Sequence, residues 1–122
     1  MKKTKQETFD YIVSNLTQQG APSSTRCSLG MINCLYRHPA GLRCAAGWCI
    51  TDERYDKSME GRSVDDVFVL SAVKDAGWDF DVVCSMQALH DNNAGDEPWL
   101  PLFLAAARSY AIDNQLNCDV IK

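Results

Sequence analysis

Three cysteines, a Pro-Ala-Gly turn and a run of acids crowd the stretch from Cys34 to Gly61, CLYRHPAGLRCAAGWCITDERYDKSMEG. Zinc favours thiolate and imidazole in a tetrahedron, so Cys27, Cys34, Cys44 and Cys49, with His38 between them, are an alternative metal set. No pair among them has the C-x2-C spacing that holds two thiolates on one turn, so buried thiols without metal are the primary expectation. A second chemistry starts from Cys44, near the amino end of a short predicted helix, where the positive end of the helix dipole lowers a thiol pKa. With His90 as base and Asp91 orienting it, Cys44 would make a small cysteine-dependent hydrolase. That remains the alternative. His90 falls one turn beyond Met86 on an apolar helix face, where a lone histidine is more often a packed, hydrogen-bonded residue, and Asp91 is expected to point elsewhere on the helix.

Two further groups suggest recognition. Between Asp75 and Ala107 lie six acids, Asp75, Asp79, Asp81, Asp91, Asp96 and Glu97, and no Lys or Arg. Such a flank can steer a basic partner, including a protein groove that normally holds nucleic acid, although acids also cap helices for local reasons. Around the Pro-Ala-Gly turn, Tyr36, Arg37, Arg43, Trp48, Arg54 and Tyr55 are the aromatic and cationic types that anchor interfaces. The same side chains can instead cover their own hairpin, with Arg37 or Arg54 pairing Asp52 or Glu53. The segment from Asp91 to Leu102 departs from a calcium loop, because its glycine is one place early and its twelfth position is Leu102 rather than Glu.

The elements that must position these groups read mainly as helices. Thr4 and Glu7 have capping-box spacing, and Phe9, Ile12, Val13 and Leu16 share one face, predicting a helix over 5–19 that stops at Gly20. Residues 35–37 and 42–44 read as two short strands around the turn His38-Pro39-Ala40-Gly41, followed by a brief buried helix over 45–50. Residues 55–62 read as loop. Ser63 and Asp66 predict a helix start, with Val64, Val67, Phe68 and Val73 inward and Gly77 as the stop, although the β-branched cluster Val67-Phe68-Val69-Leu70 makes a strand the rival. Asp79 or Asp81 caps the next helix, whose stripe is Val82, Val83, Met86 and Leu89, and residues 90–95 read as loop. Asp96 caps the last helix, with Trp99, Leu102, Phe103, Ala106 and Tyr110 inward and Leu100, Leu104, Ala107 and Ala111 widening the stripe. The expected fold is mainly α, a single compact helical domain spanning 1–122 with a small β-hairpin near residues 35–44.

The totals agree with that picture. A chain of 122 residues with 46% apolar and 23% charged residues is ordinary globular composition for one domain. A net charge of −4 argues against binding nucleic acid directly and favours a basic protein partner. The basic start MKKTK precedes no apolar stretch of signal-peptide type, and no run is long enough to span a bilayer. The expectation is a cytoplasmic protein with reduced thiols, no cofactor and no membrane contact.

Taken in order, Cys34-x-Tyr36-Arg37, Gly41-x-x-Cys44-Ala45-x-Gly47, Ile50-x-Asp52-Glu53-x-Tyr55, Met59-Glu60-Gly61 and Gln87-x-x-His90-Asp91 form a pattern. It resembles one found in small uncharacterised proteins encoded by bacteriophages and prophages. The likeness covers residues 34 to 91 and leaves Cys27, Cys49 and Cys84 outside. It implies a phage origin and action on host machinery or host defence, by analogy rather than by chemistry. The functional expectation is an accessory protein that binds a host protein or complex stoichiometrically, with CRISPR inhibition as the concrete form. Tyr36, Arg37, Arg43, Trp48, Asp52, Glu53, Tyr55, Glu60, Asp79, Asp81, Asp96 and Glu97 would carry the binding. A small-ligand sequestering protein, with its pocket behind the hairpin, is the third class.

Overall fold

The computed structural model describes residues 2–26 and 29–121. Its first helix, α1 (Lys5–Gln19), begins where the sequence signals it: the Thr4 hydroxyl accepts from the Glu7 N–H and the Glu7 carboxylate accepts from the Thr4 N–H. It ends at Gly20, whose φ of 78° is the left-handed conformation that glycine enters without a side-chain clash. Phe9, Ile12, Val13 and Leu16 are wholly buried along one face.

After α1 come β1 (Ser24–Arg26) and β2 (Ile32–Cys34), an antiparallel pair in which Ser24 faces Cys34, Thr25 faces Asn33 and Arg26 faces Ile32. The regular hairpin therefore precedes the segment whose turn chemistry was plainest. Residues 35–44 also fold back on themselves, but through the single bridge Arg37 to Arg43, closed by the His38 N–H on the Leu42 carbonyl at 2.9 Å. The physical reason is competition for main-chain donors: the N–H groups of Tyr36 and Arg37 go to the carboxylate of Glu60 instead of to a facing strand.

The short helix α2 (Ala45–Trp48) has Cys44 at its cap, and a 3-10 turn (Lys57–Met59) interrupts the loop expected over 55–62. Helix α3 (Val67–Asp75) starts one turn later than Ser63, because Asp66 accepts the Phe68 N–H. That start puts Val69, Ala72 and Val73 in the core and leaves Val67 and Phe68 outward, contrary to the inner face expected for them, with the Arg62 guanidinium lying over the Phe68 ring.

Helix α4 (Phe80–Asn93), capped by Asp79, packs against α1, α2 and α5 (Trp99–Asp113). Val82, Val83 and Met86 are buried as the stripe predicts, and so are Gln87 and His90. The helix continues through residues 90–93, whose composition suggests loop, because bonds to the rest of the fold outweigh weak propensity there: both His90 ring nitrogens are held, and the Asn93 amide donates to the Leu89 carbonyl. Pro98, not Asp96, occupies the cap position of α5; Pro101 is accommodated in its first turn. Trp99, Phe103, Ala107 and Ala111 form the buried face of α5, while Leu102 is turned outward. None of the helices among the described residues is long and apolar enough to cross a membrane.

Gly47 is the tightest point of the fold, because a Cβ there would collide with the Tyr36 carbonyl oxygen. A main-chain atom held by Glu60 on one side and α2 on the other cannot yield cheaply. We predict that Gly47→Ala lowers folding stability by about 2 kcal/mol or more in urea unfolding, despite alanine's higher helix propensity.

Candidate functional site

A carboxylate and a short chain of side-chain bonds build one cleft. At one end, Glu60 Oε1 accepts the Tyr36 N–H at 2.9 Å, and Oε2 accepts the Arg37 N–H at 3.0 Å and the Tyr55 hydroxyl at 2.7 Å. The Tyr36 hydroxyl donates to the Arg62 carbonyl at 2.6 Å, fastening the same loop a second time. At the other end, Gln87, His90 and Asp91 occupy positions i, i+3 and i+4 of α4, the spacing that places side chains on one helix face. Gln87 Oε1 accepts the Ala46 N–H at 2.8 Å, and its amide donates to Asp91 Oδ1 at 2.7 Å.

His90 is wholly buried and bonded at both nitrogens, Nε2 accepting the Ser23 N–H at 3.0 Å and Nδ1 meeting Asp91 Oδ1 at 2.9 Å. A backbone N–H can only donate, so Nε2 presents a lone pair and the ring proton sits on Nδ1, pointing at the carboxylate. Asp91 thus turns back onto its neighbour, contrary to the expectation that it points away.

Between these anchors, β2, the loop 60–64 and the outer side of α4 enclose a cleft of about 1070 Å³, open to solvent. Cys34, Tyr36, Glu60, Asp91 and Asp96 line it, together with Cys44 and Cys84. Among the described residues its charge is negative on balance, because the one lining cation, Arg62, pairs with Asp66 at 3.1 Å.

The geometry corrects the catalytic alternative. Cys44 is 1% exposed, and burial pushes its thiol up rather than down; a cap on a four-residue helix does not offset that desolvation. Neither nitrogen of His90 is free to take its proton. Among the described members of the four-cysteine metal set, Cys34, Cys44, Cys49 and His38, no three donor atoms come together, and Cys27 lies outside the described residues. Among the described residues, the metal-compatible group is Cys34, His90 and Asp91, with one donor atom from each within 4.8 Å of the others. The imidazole in this group has no lone pair to offer. Metal at Nδ1 would move the proton to Nε2, directly against the Ser23 N–H.

The expected binding residues divide. Tyr36, Glu60 and Asp96 line the cleft, with exposed Glu97 next to Asp96. Arg37, Arg43, Trp48, Asp52 and Tyr55 form the internal version of their network: Arg37 pairs with Asp52 at 2.8 Å and lies over Tyr55, while Arg43 meets the same Asp52 at 3.6 Å and lies over Trp48. Arg54 pairs with Asp75, and Glu53 is exposed. Asp79 and Asp81 sit at the far end of α4, both within ion-pair distance of Lys5, so the acidic flank is not continuous. Ser23 enters the site with no signal in the sequence, and Gln87 with only the Gln87-x-x-His90-Asp91 spacing.

No family model, curated protein or solved structure matches the chain. The reading of the site therefore rests on its own geometry.

Burial, and then contact with Asp91, pushes the Cys34 thiol up to about 12; burial raises Cys44 and Cys49 as well. We predict that at pH 8 iodoacetamide modifies Cys34 and Cys44 in the native protein on the order of a hundredfold more slowly than in the unfolded chain. The native rate should keep rising with pH past roughly pH 10, whereas an activated thiol would level off near neutrality. Peptide mapping after timed alkylation distinguishes the two.

Proposed function

We propose that the protein acts by stoichiometric binding, holding a basic segment of a host protein in the cleft between β2 and α4, with no bond made or broken. The observation that carries this reading is the cleft itself, with the carboxylates of Glu60, Asp91 and Asp96 on its walls and its one cation already paired. Opposite charge across an interface speeds encounter and fixes register, so a lysine- or arginine-bearing partner is the matching one.

The likeness to phage-encoded proteins supports a host target in the bacterial cytoplasm. An inhibitor of a host defence complex, such as a CRISPR effector, is the concrete form. Such effectors carry the basic grooves an acidic protein can occupy.

Pull-down from host lysate, followed by measurement of affinity for the captured protein, tests the reading. The double variant Asp96→Lys, Glu97→Lys should bind at least tenfold more weakly, whereas Asp81→Lys, at the other end of α4, should bind within twofold of the unaltered protein. Equal binding by all three would rule out the acidic cleft as the recognition surface.

A further inference from the structure

The wall of the cleft formed by β2 is a strand edge to which no strand among the described residues is paired. Antiparallel pairs alternate between residues that exchange hydrogen bonds and residues that do not. The Leu35 N–H donates to the Ser23 carbonyl at 2.9 Å, which sets the phase: Thr25 and Asn33 exchange bonds, while Ser24 with Cys34 and Arg26 with Ile32 do not. The main-chain N–H and C=O groups of Ile32 and Cys34 therefore point away from β1. Among the described residues these four groups have no hydrogen-bond partner.

The next N–H in the same phase belongs to Tyr36, and Glu60 Oε1 accepts it at 2.9 Å. Glu60 lines the cleft, so its carboxylate stands where the carbonyl of a third strand would stand and marks the side to which the edge faces. From Ile32 to Tyr36 the edge is about 13 Å long, enough for four or five extended residues. Proteins usually block such an edge with Lys, Pro or a bulge, and β2 (Ile32–Cys34) carries none of these. Asp91 and Asp96 line the same cleft and give it carboxylates.

We infer that the partner enters as an extended peptide segment with basic residues at every second position, added as a third strand to the free edge of β2. This rests on the reading of the cleft as a site for a basic protein partner. Main-chain bonds to Ile32 and Cys34 would supply affinity, and Asp91 and Asp96 would select Lys or Arg.

The test uses the intact, isotope-labelled chain and a capped decapeptide of alternating Lys and Thr. Titration followed by NMR should shift the amides of Ile32 and Cys34 and slow their hydrogen exchange at least tenfold. All N–H groups facing β2 come from one alternate set of peptide residues. N-methylation of that set should weaken binding at least tenfold, and N-methylation of the other set should change it less than twofold.

Equal effects from the two methylated peptides would overturn strand addition while leaving a basic-partner cleft intact. So would the absence of peptide binding at millimolar concentration while lysate capture stays sensitive to Asp96→Lys, Glu97→Lys. A dimer in sedimentation, with Ile32 and Cys34 amides protected before peptide is added, would assign the edge to a second copy and overturn the inference as well. Loss of the charge dependence alone, with the methylation asymmetry kept, would remove the acidic-cleft reading and leave the strand edge as the binding element.

Discussion

A histidine taken wholly out of water must have both ring nitrogens satisfied, and meeting that requirement at His90 fixes where the hairpin joins the helical body. The Ser23 N–H on Nε2 ties the residue before β1 to the last turn of α4, the helix that packs against α1, α2 and α5. The Ser23 hydroxyl then donates to the Leu35 carbonyl at 2.7 Å, so one residue aligns α4 with both sides of the hairpin. On the other ring nitrogen, Asp91 is held in turn by Gln87, which also accepts the Ala46 N–H at the start of α2. Removing any one of these partners would leave a buried polar group unpaired, at a cost of about 1–3 kcal/mol. An imidazole that could be taken for a catalytic base is thus committed to architecture.

The cleft follows from that commitment. The hairpin is tied to the carboxyl-terminal end of α4 through Ser23 and the 60–64 loop is clamped through Glu60, and the cleft lies between them. Ile32 packs against Gly95, where a side chain would obstruct it. Glu60 covers the strand edge at Tyr36, and nothing among the described residues covers it at Ile32 and Cys34. The same packing that buries Cys44 leaves main-chain donors and acceptors of Ile32 and Cys34 unpaired among the described residues, beside acidic side chains.

Much of the helical scaffold was legible in the sequence, because its signals are local. Thr4 with Glu7, Gly20 and Asp79 sit at the boundaries their chemistry dictates, and the stripe Phe9, Ile12, Val13, Leu16 is the buried one. The misplacements came from long-range bonds that no window of sequence contains. The turn at 38–41 is present, but its flanks lose their donors to Glu60, more than twenty residues later. Residues 90–93 look like loop and are helix because His90 is held by Ser23, 67 residues away. Val67 and Phe68 turned outward because Asp66 rather than Ser63 caps α3.

The site was legible only in part. Glu60, Tyr36 and Asp96 were among the residues named, yet Asp79 and Asp81, equally acidic, lie at the other end of α4 paired with Lys5. A charge run in sequence becomes two separate groups once a fourteen-residue helix spaces them roughly 20 Å apart. Whether His90 is a structural tie or a base turns on where its proton resides. Nitrogen-15 NMR of the native protein at neutral pH measures this directly. A structural tie requires a protonated Nδ1 and a hydrogen-bonded, unprotonated Nε2; a proton on Nε2, or on both nitrogens, is incompatible with that role.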